Sequence, residues 1–183
     1  MIWTLPGTTL TGKRSDACRT DGLFQSMMLT GGLTLGQVAT ITGLEHHTIQ
    51  NWVKRGFLSP PRGKRYDMEQ LCRIITINML RGALSLEKIC TMLSYINGSL
   101  TDESDDTIDD TLLYFTFVKL AAVARDLGRE DLWQQALEET LQDYVEPVPG
   151  ARQRVEQVLR IMLTAWIATR MRQEAEAMLS TIT

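Results

Sequence analysis

Two short helices joined by a glycine turn constrain this chain more than any other feature of its sequence. Thr34 is suited to cap the N-terminus of a helix with the sequence LGQVATI, and Gly43 is suited to the left-handed position that ends it. A second helix is predicted from about Glu45 to Arg55, and Gly56 ends it. This spacing predicts a helix-turn-helix, with the apolar residues of both helices facing inward: Leu35, Val38, Ala39, Ile49 and Val53.

The residues after the second helix have the composition of a tight β-hairpin. Phe57 and Leu58 are predicted to begin a short strand, residues 60–63 (PPRG) to form a loop, and residues 64–66 (KRY) to return as a second strand. Asp67 is then predicted to cap a helix that runs to about Arg81. The sequence therefore predicts a two-stranded wing attached to the helix-turn-helix.

The polar side chains of this region are of the types that contact DNA. A helix fits the major groove, where Gln and Asn side chains pair with adenine, while Lys and Arg side chains bind the flanking phosphates. The second helix would present its outward residues to the bases, and the wing would reach phosphates or the minor groove. The candidate DNA-binding residues are His46, His47, Thr48, Gln50, Asn51, Lys54, Arg55, Arg62, Lys64, Arg65 and Tyr66.

The distribution of charge supports the same interpretation. The formal net charge of the chain is −3, yet residues 1–100 contain eleven Lys and Arg against six Asp and Glu. Residues 101–183 contain eight basic residues against sixteen acidic ones. Five of the nineteen Lys and Arg lie within residues 54–66. The basic half is therefore suited to a polyanion, and the two halves are expected to have separate roles.

The segment LTLGQVATITGLEHHTIQNWVKRGFLSPPRGKRYDMEQLCRI resembles the DNA-binding head of MerR-type regulators. Residues 48–52 (TIQNW) correspond to the Thr-Leu-Arg-Tyr-Tyr element of those proteins, residues 56–60 to their Gly-Leu…Pro turn, and residues 64–66 to their Arg-x-Tyr wing. Gln50 and Asn51 stand where that family has arginine and tyrosine. The resemblance implies a dimeric transcription regulator that binds double-stranded DNA.

A second resemblance extends over most of the chain. The phrases IQNWVKRG, PPRGKRY, INMLR, LSYINGSL and DESDDTIDD are similar to a bacterial family of unknown function. Members of that family combine a MerR-like head with an acidic linker and a helical tail. This resemblance implies no biochemical role.

The pattern of breakers and apolar residues divides the chain into four parts. Residues 1–33 form a partly ordered extension, with a short helix near Asp21–Leu29, and residues 34–98 form the winged head. Residues 99–110, with six acids between Asp102 and Asp110, form a solvated linker whose last residues cap the next helix. Residues 111–183 form a helical tail with helices over 112–127, 130–145 and 151–181. The fold class is mainly all-α.

The last helix has more apolar surface than the tail can cover. At about 1.5 Å per residue it would be about 45 Å long, whereas each of the two preceding helices would be about 24 Å long. Apolar positions continue along it through Met171, Met178 and Ile182. The sequence therefore predicts a homodimer formed through residues 111–183. A long helix that kinks and folds back within one chain is the alternative.

No pattern in the sequence indicates catalysis, a metal or a cofactor. The two histidines, His46 and His47, are adjacent, and the three cysteines lack the spacing of a zinc site. We expect buried, reduced thiols at Cys72 and Cys90 and an accessible one at Cys18. A small-molecule effector pocket lined by Trp133, Tyr144 or Trp166 stays an open alternative. The chain lacks an apolar segment of about 18 residues and a signal-peptide charge order, so we expect a cytoplasmic protein without a membrane partner.

Two hypotheses for function follow. The first is a sequence-specific transcription regulator that contacts DNA with helix 46–55 and wing 60–66 as a homodimer. The second is a protein-interaction adaptor that keeps a MerR-like head without DNA affinity, which Gln50 and the acidic overall charge favour. Neither hypothesis involves an enzyme.

Overall fold

The computed structural model describes residues 2–97, 107–124 and 130–182. This part of the chain is mainly helical, as predicted, with a small antiparallel sheet at the N-terminus. Two 3₁₀ turns, Arg14–Arg19 and Met28–Thr30, flank the first helix. The strands and helices are β1 Ile2–Thr4, β2 Thr11–Lys13, α1 Thr20–Met27, α2 Leu35–Thr42, α3 His46–Lys54, α4 Met68–Leu80, α5 Leu86–Asn97, α6 Asp110–Val123, α7 Glu130–Thr140 and α8 Ala151–Leu179.

The predicted helix pair is confirmed, together with its capping residues. Thr34 forms a capping box with Gln37 at the start of α2, and Gly43 ends that helix with a φ of 68°. Asp67 forms the equivalent capping box with Gln70 at the start of α4. These three boundaries depend on residues close in sequence, which explains why the sequence alone locates them.

The predicted wing differs from the structure. Phe57 and Leu58 do not form a strand; instead, the residue that pairs with Tyr66 is Leu33, and each donates its amide to the other's carbonyl over 2.8 Å. Leu58 is buried, and the two prolines that follow lack the amides that a strand ladder needs. The two-stranded sheet lies at the N-terminus, where β1 pairs with β2 in the register Ile2↔Lys13 and Thr4↔Thr11.

The centre of the fold is α4, which packs on α6 and α8. Both α4 and α6 are buried on most sides, as the apolar pattern of residues 112–127 predicted for α6. The N-terminal segment joins the same core: Phe24 of α1 is fully buried, with its ring centroid 5.8 Å from that of Tyr114 and 5.4 Å from that of Phe115. The Tyr114 hydroxyl also donates to the Pro6 carbonyl over 3.0 Å. One hydrophobic cluster therefore includes residues from the N-terminal segment to α8.

The long helix predicted over 151–181 is present as α8, and only its first part is covered. Its buried residues extend from Ala151 to Ile167. Residues 170–182 are all exposed, including the apolar side chains of Met171, Met178, Leu179 and Ile182. The covering elements are α4, α5 and α6, because α8 crosses all three.

The C-terminal end of the acidic segment is partly buried, whereas a solvated linker was predicted there. Asp109 caps α6 as predicted, because its side chain accepts from the Leu112 amide over 2.8 Å. Asp110, however, is 4% exposed and forms an ion pair with buried Arg73 of α4 at 3.0 Å. Burial raises the pKa of the Asp110 carboxyl, and Arg73 opposes that shift. Residues 99–106 of the predicted linker lie outside the described residues.

Cys72 is buried and Cys18 is exposed, as predicted, whereas Cys90 is only half-buried; all three have free thiols. Burial raises the pKa of both the Cys72 and the Cys90 thiol. None of the described helices combines the length and the apolar character that crossing a membrane requires.

Candidate nucleic-acid interface

Helix α3 presents one polar face to solvent and one apolar face to the core. Ile49 and Trp52 are buried against the core, and Leu44 in the preceding turn is also buried. These three side chains fix the rotation of α3 about its own axis. The residues left exposed by that rotation are His46, His47, Gln50, Asn51 and Lys54, whereas Thr48 is half-buried.

The exposed positions repeat at the spacing of a helix face. Residues 46, 47, 50, 51 and 54 are separated by one, three, one and three positions, so their side chains form a continuous stripe along α3. The amide groups of Gln50 and Asn51 lie in the middle of this stripe. Both side chains are therefore accessible, and each can donate and accept a hydrogen bond in one plane.

The segment after α3 ends in a tight turn at residues 62–65, which we call the tip. The Arg65 amide donates to the Arg62 carbonyl over 2.9 Å, and the two residues pair as a bridge. Gly63 and Lys64 between them have φ angles of 56° and 64°. Positive φ at both central positions is the requirement of a type I′ turn. Lys64 is the one residue other than glycine with a positive φ in the part of the chain that the structure describes.

Two of the five predicted phosphate-binding cations have partners within the protein. The Arg55 guanidinium forms an ion pair with Glu87 of α5 at 2.7 Å and lies 4.6 Å from the centroid of the Phe57 ring. The Arg65 guanidinium donates to the Gly32 carbonyl over 2.8 Å. Both side chains stabilise the local fold, which reduces what they can contribute to binding a ligand.

The other three cations, Lys54, Arg62 and Lys64, are exposed. None of them forms an ion pair with another described residue. Residues 46–66 also contain no Asp or Glu, so no acidic side chain of that segment offsets their charge. Residues 46–66 therefore carry an excess of positive charge, which attracts anions, although the exposed acids Glu45 and Asp67 lie directly on either side of the segment.

Tyr66, also predicted to contact DNA, is buried and only 2% exposed. Its backbone pairs with Leu33, and burial raises the pKa of its phenol. Gly32 is required beside it, because a Cβ at that position would lie 2.8 Å from the Tyr66 carbonyl oxygen. Tyr66 therefore anchors the tip to the segment before α2 and does not belong to the exposed surface.

Two buried polar residues of α4, neither of them predicted as a functional residue, position this surface. The Gln70 side-chain amide donates to the carbonyls of Ser59 and Pro60 at 3.1 and 3.0 Å. The Arg73 Nε donates to the Phe57 carbonyl over 3.1 Å. Together they hold the chain between α3 and the tip. The position of Arg73 within the otherwise apolar run LCRII could have indicated this role, because a buried arginine needs fixed hydrogen-bonding partners.

None of the described residues forms a group of three or more His, Cys, Asp or Glu side chains placed to hold a metal. His46 lies beside α2: its Nε2 is 4.0 Å from where a Cβ would stand at Gly36. This places the first histidine of the stripe at the junction of the two helices.

Comparisons with known proteins cover the same region. Residues 32–117 match a family model described as "Domain of unknown function (DUF1836)". The match begins at Gly32, which lies beside Tyr66, and ends within α6. It therefore includes α2 to α5 and the exposed surface of α3 and the tip. The matched residues also include both members of the buried Arg73–Asp110 pair.

A curated relative supports an uncharacterised family. The chain is 32% identical over 84 residues to "Uncharacterized protein YkrK" of Bacillus subtilis (strain 168). The aligned part is 44% of this chain and 36% of that protein. The chain therefore spans about a third of the length of this relative. No solved structure matches the chain significantly.

Proposed function

We propose that this protein is a sequence-specific, DNA-binding transcription regulator that contacts DNA through α3 and the tip. One observation carries the proposal: α3 exposes a stripe of hydrogen-bonding side chains that ends in Lys54, and no acidic residue lies between it and the tip. A short helix anchored by an apolar face and exposing amides is suited to the major groove. The tip begins seven residues after Arg55 and is suited to bind the DNA phosphates that flank the groove.

A MerR-like arrangement of the head is part of this proposal. Helices α2 and α3, the glycine turn between them and the basic tip support it, as does the sequence resemblance of residues 33–74. The tip would take the place of the wing, with Leu33 and Tyr66 as its base.

A protein-interaction adaptor is the second candidate. The observation that favours it is the engagement of Arg55 and Arg65 with Glu87 and Gly32, which leaves three unpaired cations where the sequence predicted five. An adaptor would use the same exposed stripe to bind another protein.

Replacing Gln50 or Asn51 with alanine tests base recognition. For a duplex selected from a random pool by the wild-type protein, each substitution is expected to weaken binding by about 1–3 kcal/mol, because a base-edge hydrogen bond is lost. Binding to an unselected duplex is expected to stay unchanged, because the phosphate contacts remain. Fluorescence anisotropy with both duplexes measures the two affinities. Equal losses on both duplexes, or no selection of a sequence at all, would favour the adaptor.

We further propose that the protein is a homodimer formed through the exposed end of α8. Met171, Ala175 and Met178 of α8 are spaced by four and three residues, which is the spacing of one coiled-coil seam, and Ile182 follows four residues later, just beyond the end of the helix. The exposed fractions of Met171, Met178 and Ile182 are 56%, 61% and 80%. A second copy of the same helix would cover this stripe.

Light scattering is expected to give about twice the chain mass of 20.7 kDa. Replacing Met178 and Ile182 together with glutamate is expected to yield monomers, because two charges would then face each other across the seam. Ser180→Glu adds a charge outside the stripe and is expected to leave the dimer intact. A wild-type protein that stays monomeric at tens of micromolar would contradict the proposal.

A further inference from the structure

A cleft of about 940 Å³ lies between the N-terminal hairpin, the end of α4 and the beginning of the exposed part of α8. Its walls include Trp3 and the loop of residues 5–8 on one side, and Trp166 and Thr169 on the other. The end of α4 can approach α8 closely at this point, because Gly82 has no side chain: a Cβ there would lie 2.6 Å from Thr169 Cγ2. The volume is in the range of sites that bind small molecules.

Among the described residues, the charges that line the cleft are all positive. Four arginines contribute to its wall, and none of the described lining residues is acidic: Arg14, Arg81, Arg170 and Arg172. Arg172 is partly neutralised from outside the cleft, because Glu176 forms an ion pair with it at 2.6 Å. The remaining wall carries a local excess of positive charge that a ligand of opposite charge would offset.

Three of these guanidinium groups are held in place by neighbouring side chains. Arg14 lies 5.1 Å from the centroid of the Trp3 ring, and Arg170 lies 4.9 Å from that of Trp166. Arg81 donates through Nε to the Asn78 side-chain carbonyl over 3.0 Å. Guanidinium groups that are already fixed lose less conformational entropy on binding, and the N–H groups along their edges suit carboxylate and phosphate groups.

The wall also contains an unsatisfied donor. Trp3 is 8% exposed, and its indole nitrogen is buried without a hydrogen-bond acceptor among the described residues. Buried donors of this kind are uncommon, because each costs free energy that an acceptor would recover. The indole nitrogen itself is inaccessible, so the arginines are the groups that favour a ligand rich in acceptor oxygens.

We propose that this cleft is a binding site for a small organic polyanion with at least two carboxylate or phosphate groups. Two or more guanidinium groups would each bind one anionic group, and the hairpin would close one side of the ligand. The site lies outside the surface of α3 and the tip, and it is independent of the proposed DNA contact.

The loop that lines the cleft is also hydrogen-bonded to the end of α2. The Asn78 side-chain amide donates to the Gly7 carbonyl at 2.9 Å and to the Thr42 carbonyl at 2.8 Å. The Thr9 amide donates to the Ile41 carbonyl over 2.8 Å. A ligand that shifts this loop would therefore shift α2, on which α3 packs. The coupling of ligand and DNA rests on the proposed DNA-binding function.

Isothermal titration calorimetry with citrate and with pyrophosphate, at constant ionic strength, tests the binding site. Citrate represents polycarboxylates, pyrophosphate represents phosphates, and glycerol is the neutral control. We expect saturable binding of at least one anion and none of glycerol. Arg81→Gln and Arg170→Gln are each expected to weaken that binding about tenfold, because one charge-assisted hydrogen-bonding group is removed.

Matched controls locate the site. Arg19→Gln and Lys88→Gln remove exposed charges outside the cleft, and Arg62→Gln/Lys64→Asn removes charges of the tip. All three variants are expected to bind the anion like wild type. The proposal is overturned if neither anion binds, if both the Arg81 and the Arg170 variants bind the anion as tightly as wild type, or if only the tip variant loses binding.

Anisotropy with a DNA duplex, with and without the anion that binds, tests the coupling. The coupling is supported if the anion changes the DNA affinity of the wild-type protein threefold or more and leaves that of Arg170→Gln unchanged. If the anion does not change the DNA affinity of the wild-type protein, the coupling is wrong but the anion site is not affected. If the protein binds no DNA, calorimetry still shows whether the cleft binds the anion.

Discussion

Replacing Asp110 with alanine is expected to lower the free energy of unfolding by about 3–5 kcal/mol, because it leaves the buried Arg73 guanidinium without its carboxylate. Arg73 and Asp110 are 5% and 4% exposed, so water cannot replace the lost partner. The effect should reach beyond this pair, since Arg73 also holds the Phe57 carbonyl between α3 and the tip. Urea unfolding followed by circular dichroism measures the loss.

Two further variants separate the buried charge from ordinary loss of packing. Arg73→Met/Asp110→Leu removes both charges and is expected to recover most of the stability, because well-packed apolar residues can replace a buried ion pair. Glu87→Ala breaks the exposed Arg55–Glu87 pair and should change stability little, because solvent screens exposed pairs. If Asp110→Ala were no more destabilising than Glu87→Ala, the buried pair would not stabilise the fold.

The double substitution Arg62→Gln/Lys64→Asn is expected to reduce affinity for duplex DNA roughly a thousandfold at about 0.1 M salt. It removes two phosphate contacts per chain and four per dimer, and each contact contributes through the release of one counterion. Asparagine is chosen at position 64 because it tolerates the positive φ that Lys64 adopts. The tip should therefore keep its shape while it loses its charge.

The control for this prediction is Lys13→Gln/Lys88→Gln, which removes two exposed charges outside α3 and the tip. It is expected to bind DNA nearly as tightly as wild type. Thermal unfolding should show that both double variants are folded. If both double variants lost the same affinity, binding would depend on the overall charge of the protein. If the tip variant lost none, the tip would not belong to the interface.

Local patterns in the sequence were sufficient to predict most of the helices, although α7 ends at Thr140 and not at the predicted residue 145. Thr34 and Asp67 cap their helices through the residue three positions later, and Gly43 ends α2 by its own backbone conformation. The spacing of apolar and polar residues in α3 likewise predicted that His46, His47, Gln50 and Asn51 are exposed, whereas Thr48, also predicted to face outward, is half-buried. Each of these features depends on neighbours within one or two turns, and such neighbours are visible in a sequence.

Pairings between distant residues could not be predicted in the same way. Tyr66 pairs with Leu33, and Arg73 with Asp110, across 33 and 37 positions. The first pairing buries a tyrosine that was predicted to contact DNA, and the second buries an acid that was predicted to be solvated. The N-terminal hairpin was missed because strands of three residues carry too little periodicity to identify. The cleft beside it depends on residues from three separate regions.

The salt dependence of DNA binding is the most direct test of the central claim that α3 and the tip bind a duplex. Three cations per chain, Lys54, Arg62 and Lys64, are exposed and without ion pairs among the described residues. A dimer would then neutralise about six phosphates, so the logarithm of the association constant should fall with the logarithm of salt concentration at a slope of about −5. Fluorescence anisotropy with a random duplex across a salt series measures this slope. A slope near −5 that flattens to about −2 in Arg62→Gln/Lys64→Asn is the predicted result, and no binding at low salt, or binding that salt does not affect, would contradict it.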